Sequence, residues 1–317
     1  VKTVGRMDGE LKDRLSGAAD ETERENAMAA MRTAADSGVT FFAIAIAVQP
    51  EKYRAYEGTG LIYDRMEDYD SSLVYYKRAF ELAPDSLSNI QNVAYAYIQL
   101  EDWQNSITFF HKVLKLVPNE PNILFNIAIC FSNLEQSDSA YRYNTMAIAA
   151  DSSNSMPYIQ VGQYFLLKSQ TYSDSITHYQ KADNAEQSDK FITLRNTLLD
   201  SSSHYLNFAV EMEPENITAL MQYGLVNMVL GRNEPALEAY QKLAELEPYQ
   251  KEHWISIGDC LLRLEKFTEA IDPYEKAVEV DPGDLAVWEL LLDLYRSEKM
   301  DDKVKEAAAK IEELKNL

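Results

Sequence analysis

Prolines recur along this chain at a constant spacing. Six of them form two series in which neighbours lie 34 residues apart: Pro50, Pro84 and Pro118, then Pro214, Pro248 and Pro282. Similar segments precede them, as YYKRAFELAP (75–84) and AYQKLAELEP (239–248) show. Proline disfavours the continuation of a helix, so each proline of the two series predicts the end of an element. A fixed period of this length predicts a stack of like units instead of one globular core.

Small and large residues occupy different positions of the period. We count so that the proline is position 32 of each unit. Position 8 is then small in six units: Gly60, Ala94, Ala128, Gly162, Gly224 and Gly258. Position 24 is mostly aromatic: Tyr76, Phe110, Asn144, Tyr240 and Tyr274. A large side chain can fill the space that a small one leaves on a neighbouring helix, which gives many of the tyrosines a structural role.

This pattern resembles the tetratricopeptide-repeat family over about residues 37–316. The resemblance implies an all-α fold, a right-handed superhelical solenoid of helix–turn–helix repeats, about eight in number. It predicts repeats 1–5 over 37–186 and repeats 6–8 over 217–317. In such a fold the first helices of the repeats would line a concave groove.

The period is interrupted once. Ser152 stands where the next proline is expected, and Pro214 follows it after 62 residues instead of two periods. We expect TYSDSITHYQKA (171–182) to be the second helix of the fifth repeat. The segment 187–216 then predicts one unusually long helix, or a degenerate repeat without its inner turn, with Ser201–Ser203 as an alternative breakpoint. Pro273 predicts a kink or a shifted start in its helix.

The N-terminal part of the sequence fits the period less well. Residues 1–36 predict a helical segment, with a short helix or a loose arm over 1–20 and a helix over 25–36. Residues 37–50 predict the second helix of a first repeat. Val1 is not an initiator methionine, so we expect that the chain has been trimmed. Its location is then open between the cytoplasm and, after removal of a signal, the bacterial envelope or periplasm.

Composition excludes several classes of function. The net charge of −21 makes DNA, RNA and anionic membrane surfaces poor partners, because all of them attract cationic proteins. The longest apolar run, FFAIAIAV (41–48), is too short to span a membrane. Two cysteines and four scattered histidines predict no metal site, and we expect no cofactor. No catalytic motif is present, so we expect that the chain is not an enzyme.

The family resemblance implies that a partner binds in the concave groove. Position 6 carries a row of carboxamides: Asn92, Asn126, Gln160 and Gln222. Such side chains can hold the backbone of an extended peptide, as in the asparagine ladder of some family members. Further candidates on the first helices are Gln91, Tyr95, Phe125, Ile129, Asn133, Ile159, Met221 and Leu225. Alternatively, the chain's own long helix or N-terminal segment fills the groove.

These observations predict a non-catalytic scaffold that binds a protein partner as an extended peptide or a helix. Two alternatives stay open: a module that self-associates, and a substrate-recruiting fragment of a larger enzyme. The basic clamp with which related co-chaperones bind a terminal carboxylate is absent, because position 5 carries Glu57, Gln91 and Phe125.

Overall fold

The computed structural model describes the backbone of residues 21–316 and the side chains of residues 33 and 35–316. All regular secondary structure in this part of the chain is helical, so the predicted all-α class is confirmed. The described residues form two compact units that divide after Ala150. The segment 1–20, for which we predicted a short helix or an arm, lies outside the described residues. The handedness and the number of repeats stay predictions.

The first unit is built from α1 and three helix pairs. Its helices are α1 (Glu21–Val48), α2 (Tyr53–Arg65), α3 (Tyr69–Leu82), α4 (Leu87–Gln99), α5 (Trp103–Leu116), α6 (Pro121–Asn133) and α7 (Ser137–Ala150). The two helices expected over 25–36 and 37–50 are one continuous helix. Gly38 lies within it and packs closely: a Cβ there would come 2.6 Å from Cδ1 of Ile62. This glycine therefore permits close packing and does not form a turn.

The second unit contains the remaining helices: α8 (Ser155–Gln170), α9 (Ser173–Lys181), α10 (Ala185–Met212), α11 (Ile217–Val229), α12 (Asn233–Leu246), α13 (Lys251–Arg263), α14 (Phe267–Val280), α15 (Leu285–Ser297) and α16 (Asp301–Lys315). Pro273 lies inside α14, which still begins at Phe267. That residue is one full period after Asn233, where α12 begins. The alternative of a shifted helix start is therefore wrong.

Packing within a repeat depends on the small residue at position 8. A Cβ on Gly60 would lie 2.6 Å from the ring of Tyr76, and one on Gly258 would lie 2.6 Å from the ring of Tyr274. The first and second helices can therefore approach closely only because glycine faces an aromatic ring. The predicted pairing of positions 8 and 24 is confirmed at these sites.

The turn between the two helices of a repeat has the same geometry in most repeats. Position 15 has a positive φ, between 56° and 73°, in six of them: Glu67, Glu101, Glu135, Gly231, Glu265 and Lys299. The next amide then bonds back to the helix, as in Asp102 N–H to the carbonyl oxygen of Tyr97 at 2.9 Å. This is a Schellman-type helix end, for which glycine is the least strained residue.

The fifth repeat departs from this arrangement. Its first helix, α8, packs on the C-terminal half of α10. Leu206 lies where a Cβ on Gly162 would meet it at 2.6 Å. Ser202 Oγ donates to the Gly162 carbonyl at 2.7 Å, as Ser106 Oγ does to Ala94 at 3.0 Å. The C-terminal half of α10 is thus the second helix of this repeat, and the assignment of that role to 171–182 is wrong.

Residues 171–198 are consequently an insertion between the two helices of the fifth repeat. In this repeat the residue with a positive φ is Asp183 instead of the residue at position 15. The chain therefore turns back only after α9, and α10 begins directly after this turn. Within the insertion, the rings of Tyr179 and Phe191 stack at 5.5 Å, and Ile176 is buried. The expectation of one unusually long helix is met by α10, but the repeat has both of its helices.

Candidate functional site

Seven of the predicted binding residues lie on α4 and α6 in the first unit. They are all at least partly exposed: Gln91, Asn92, Tyr95, Phe125, Asn126, Ile129 and Asn133. Side-chain hydrogen bonds join neighbouring first helices here. Asn92 Nδ2 donates to Glu57 Oε1 at 3.4 Å, and Asn126 Nδ2 donates to the hydroxyl of Tyr95 at 3.1 Å. We call the surface formed by positions 5, 6, 9 and 13 of the first helices the first-helix face of a unit.

The amides of this face are only partly used within the chain. Asn92 and Asn126 each donate one hydrogen bond through nitrogen, while a carboxamide offers two donor hydrogens and an acceptor oxygen. Asn126 and Tyr95 lie 31 residues apart in sequence, so the stacking of repeats brings them together. Burial raises the pKa of the Tyr95 phenol, which therefore stays protonated at neutral pH. On α4 and α6 the face is thus an uncharged polar row with spare hydrogen-bonding groups, and Glu57 adds an acidic side chain on α2.

Apolar side chains lie beside the amides. Leu61 and Tyr95, both at position 9, are 44% and 40% exposed, and Phe125 and Ile129 are partly exposed. The ring of Tyr95 is held edge-on against buried Phe110 at 5.3 Å. Leu61 was missed by the sequence analysis, although its position in the period equals that of Tyr95 and Ile129.

The first-helix face of the second unit is more apolar. Met221, Leu225 and Val229 of α11 are 48%, 44% and 46% exposed and recur every four residues, so they form one stripe. Gln222 lies beside this stripe, and its buried Oε1 has no hydrogen-bond partner among the described residues. Gln160 on α8 is partly exposed. Of the predicted residues in this unit, three therefore lie together on α11.

Ile159, which was predicted to contact a partner, is buried. It is only 2% exposed, so it offers no surface to a partner. The helix that carries it, α8, packs on α10 and also contacts α11. Its position in the period had predicted exposure, but the side chain is buried on a helix that packs against both α10 and α11.

The edge of the apolar stripe is polar. Arg263 of α13 donates to the carbonyl oxygen of Met228 at 3.0 Å, near the C-terminal end of α11. Asp259 of α13 accepts a hydrogen bond of 2.5 Å from the hydroxyl of buried Tyr274. A cation at a helix C-terminus is favourable because it meets the free carbonyl groups. The apolar stripe on α11 is therefore bordered by the charged side chains of Arg263 and Asp259 on the adjacent α13.

Metal-binding clusters and reactive thiols are both absent from the described residues. Within this part of the chain, no group of three or more His, Cys, Asp or Glu is placed to hold a metal ion. Cys130 and Cys260 are both buried. Burial raises the pKa of the Cys260 thiol to about 11, so it is not a thiolate nucleophile at neutral pH.

Family models match two segments of the chain. Both models are described as tetratricopeptide repeat, and they match residues 53–86 and 228–285. These two segments are similar to tetratricopeptide repeats. The first match begins at α2 and ends with the turn after α3, and the second covers α12, α13 and α14 with their connections. The resemblance seen in the sequence is confirmed. No curated protein matches the sequence significantly.

Solved structures of tetratricopeptide-repeat (TPR) proteins are similar to this chain. The C-terminal part of a TPR repeat-containing protein from Cytophaga hutchinsonii is 14% identical, with a TM-score of 0.58 over 83% of this chain and 95% of that one. YrrB, described as a TPR protein with an unusual peptide-binding site, is 17% identical, with a TM-score of 0.48 over 65% of this chain and 92% of that one. MamA from Desulfovibrio magneticus is 22% identical, with a TM-score of 0.48 over 62% and 96%. The first of these similarities supports the fold.

Tetratricopeptide repeats form extended surfaces that bind other proteins, and such repeats are typically non-catalytic scaffolds. The repeats found here therefore indicate a protein–protein interaction module. In the region that the structure covers, none of the helices combines the length and apolar character needed to cross a membrane.

Proposed function

We propose that this chain is a non-catalytic scaffold whose first-helix faces bind an extended peptide or a helix of a partner protein. The observation that carries the proposal is the exposed apolar stripe of Met221, Leu225 and Val229 on α11. Exposed apolar side chains that form a continuous row, with polar groups at their edge, are typical of surfaces that bind another protein.

The free energy of binding would come mainly from this stripe. Full burial of one exposed side chain of this size contributes about 1.5–3 kcal/mol, so burying its exposed half contributes roughly 1 kcal/mol. Three such side chains supply about 3 kcal/mol before the cost of ordering the partner. In the first unit, the oxygens of Asn92 and Asn126 can accept hydrogen bonds from the backbone N–H groups of an extended partner.

Selection from a random peptide library on the purified chain tests the proposal. A selected peptide should bind about fivefold more weakly to the variant Leu225→Ser, because a loss of roughly 1 kcal/mol of binding free energy corresponds to about a factor of five. The matched control is Leu116→Ser on α5: Leu116 is 47% exposed, close to the 44% of Leu225, but belongs to a second helix. Equal affinities of both variants and the wild type would contradict binding on the first-helix face of the second unit.

Self-association is a second candidate function, because α1 has an exposed apolar stripe. Phe41, Ile44 and Val48 are 67%, 62% and 73% exposed and lie on one side of that helix. Light scattering across a hundredfold range of concentration tests this candidate. Association that the double variant Phe41→Glu, Ile44→Glu abolishes would support it. A monomer at every concentration would rule it out.

A further inference from the structure

A polar cleft of about 490 Å³ lies in the second unit. It is formed by α10, α11 and the start of α12. Its lining residues are Asp200, Ser203, His204, Asn207, Tyr223, Asn227, Arg232 and Pro235. Most of them lie on second helices or on the turn before α12, so the cleft is distinct from the exposed apolar stripe on α11.

The cleft arises where this repeat lacks a large ring. Asn227 is at position 11 of its repeat, and the same position is aromatic in five others: Tyr63, Tyr97, Phe131, Phe165 and Tyr295. Ser203 is at position 21 of the preceding repeat, where the others carry larger side chains: Leu73, Ile107, Tyr141, Leu237 and Ile271. Two small polar side chains therefore replace an aromatic ring and its apolar neighbour.

The equivalent place in the first unit is filled. The ring of Tyr97 is buried, belongs to the same core cluster as Leu73 and lies at 5.8 Å from the ring of Phe109. The ammonium group of Lys77 lies 5.0 Å above the ring of Tyr97. At these positions the second unit has Asn227, Ser203, Ala239 and Asn207. The comparison explains the cleft by side-chain volume, because three of these replacements remove large side chains.

The floor of the cleft is polar and fully organised. Ser203 Oγ donates to Asn227 Oδ1 at 3.0 Å, and Asn227 Nδ2 donates to the carbonyl oxygen of Tyr223 at 2.8 Å. Both side chains are buried, yet each has a partner, so the floor is stable without a ligand. At the rim, Arg232 pairs with Asp200 at 2.6 Å while both stay about half exposed.

We propose that this cleft binds a tyrosine side chain presented by a partner protein, in place of the ring that other repeats supply themselves. The flat surfaces of Tyr223 and Pro235 suit an aromatic ring. The rim groups Asp200, Asn207 and Arg232 can exchange hydrogen bonds with a phenol hydroxyl. Phenylalanine would cover these polar groups without bonding to them, which costs free energy, so the site prefers tyrosine.

The probe for this site is N-acetyl-tyrosinamide, titrated into the intact chain and followed by ligand-detected NMR, with N-acetyl-phenylalaninamide as the comparison ligand. The variant Asn227→Tyr restores the residue found at this position in three other repeats. It should fill the cleft and weaken binding at least tenfold. Asn105→Tyr, at an exposed position of α5, is the matched control and should bind as the wild type does.

A second variant, Ser203→Leu, fills the cleft from the other side in case Asn227→Tyr does not fold, as circular dichroism will show. Saturable binding of the tyrosine probe, lost in the folded filling variant and kept in the control, supports the proposal. Absence of saturable binding to the wild type, or unchanged binding in the filled variants, overturns it. Equal affinity for the phenylalanine probe overturns the assignment to tyrosine. Neither result bears on the first-helix face of the second unit, which the Leu225→Ser experiment tests separately.

Discussion

Replacing Gly258 by alanine should destabilise the second unit locally. A Cβ at this position would lie 2.6, 2.7 and 2.8 Å from three ring atoms of Tyr274, whereas ordinary contacts begin at 3.4 Å. The ring must therefore retreat by about 0.8 Å. It cannot do so freely, because it is fully buried and its hydroxyl is bonded to Asp259.

The expected magnitude follows from two opposing effects. Overpacking of this kind costs about 1–3 kcal/mol, while alanine gains about 1 kcal/mol over glycine in helix propensity. Because the ring is fixed, we expect an overpacking cost in the upper part of its range. The variant Gly258→Ala should therefore lose about 1–2 kcal/mol of unfolding free energy. Gly224→Ala is the matched control: its Cβ would lie 3.0 Å from Tyr240, so the two effects should nearly cancel.

Urea unfolding of both variants measures the difference, and hydrogen exchange followed by mass spectrometry locates it. Because each repeat contacts only its neighbours, amides of α13 and α14 should exchange faster in Gly258→Ala while those of α4 and α5 stay protected. Equal stability of the two variants, or a uniform loss of protection along the chain, would refute the packing argument.

Three further predictions follow from the packing, the burial of the thiols and one ion pair. Deleting 171–198 together with Ser169→Gly places a glycine at position 15 of the fifth repeat, as Gly231 is in the sixth, and should give a folded chain. Loss of the helical circular dichroism of the whole chain would contradict the assignment of 171–198 as an insertion. Cys130 and Cys260 should react with a thiol reagent at neutral pH only after denaturation, since burial raises the pKa of both, and rapid reaction of the native chain would contradict their burial. Hydrogen bonds from Lys251 lower the pKa of Asp281 and Asp284. The contribution of this ion pair to the stability of the fold is therefore present above the ordinary aspartate pKa and is lost as the pH falls through the lowered values. The variant Lys251→Met should therefore lose less stability than the wild type between neutral and acidic pH in thermal unfolding, and identical pH profiles would refute this role.

The period predicted most of the packing because it reports which residues face each other between neighbouring helices. Gly60, Gly224 and Gly258 lie against rings as expected, since a small residue next to a large one leaves a visible pattern. The turn at position 15 was not predicted, because glutamate and lysine at a positive φ give no sequence signal, and only Gly231 shows what the backbone requires.

The fifth repeat could not be interpreted by counting forward from Ser152, because an insertion changes every later position. Counting backward from Pro214 places Leu206 at position 24 and Ser202 at position 20, which agrees with their contacts to Gly162. Ile159 shows a different limit: it precedes the insertion, yet its place in the period did not predict its burial on α8, which packs against α10 and α11. Position alone predicts which side of a helix a residue occupies, but not what covers that side.

The position of a bound partner tests the central proposal most directly. A photo-crosslinking amino acid is placed singly at Tyr95, at Leu225 and, as a control on a second helix, at Leu116, and each chain is irradiated with a peptide selected on the wild type. We predict that the peptide is captured at Tyr95 or Leu225 and not at Leu116. Capture at Leu116 with none at the two first-helix positions would contradict binding on the first-helix faces.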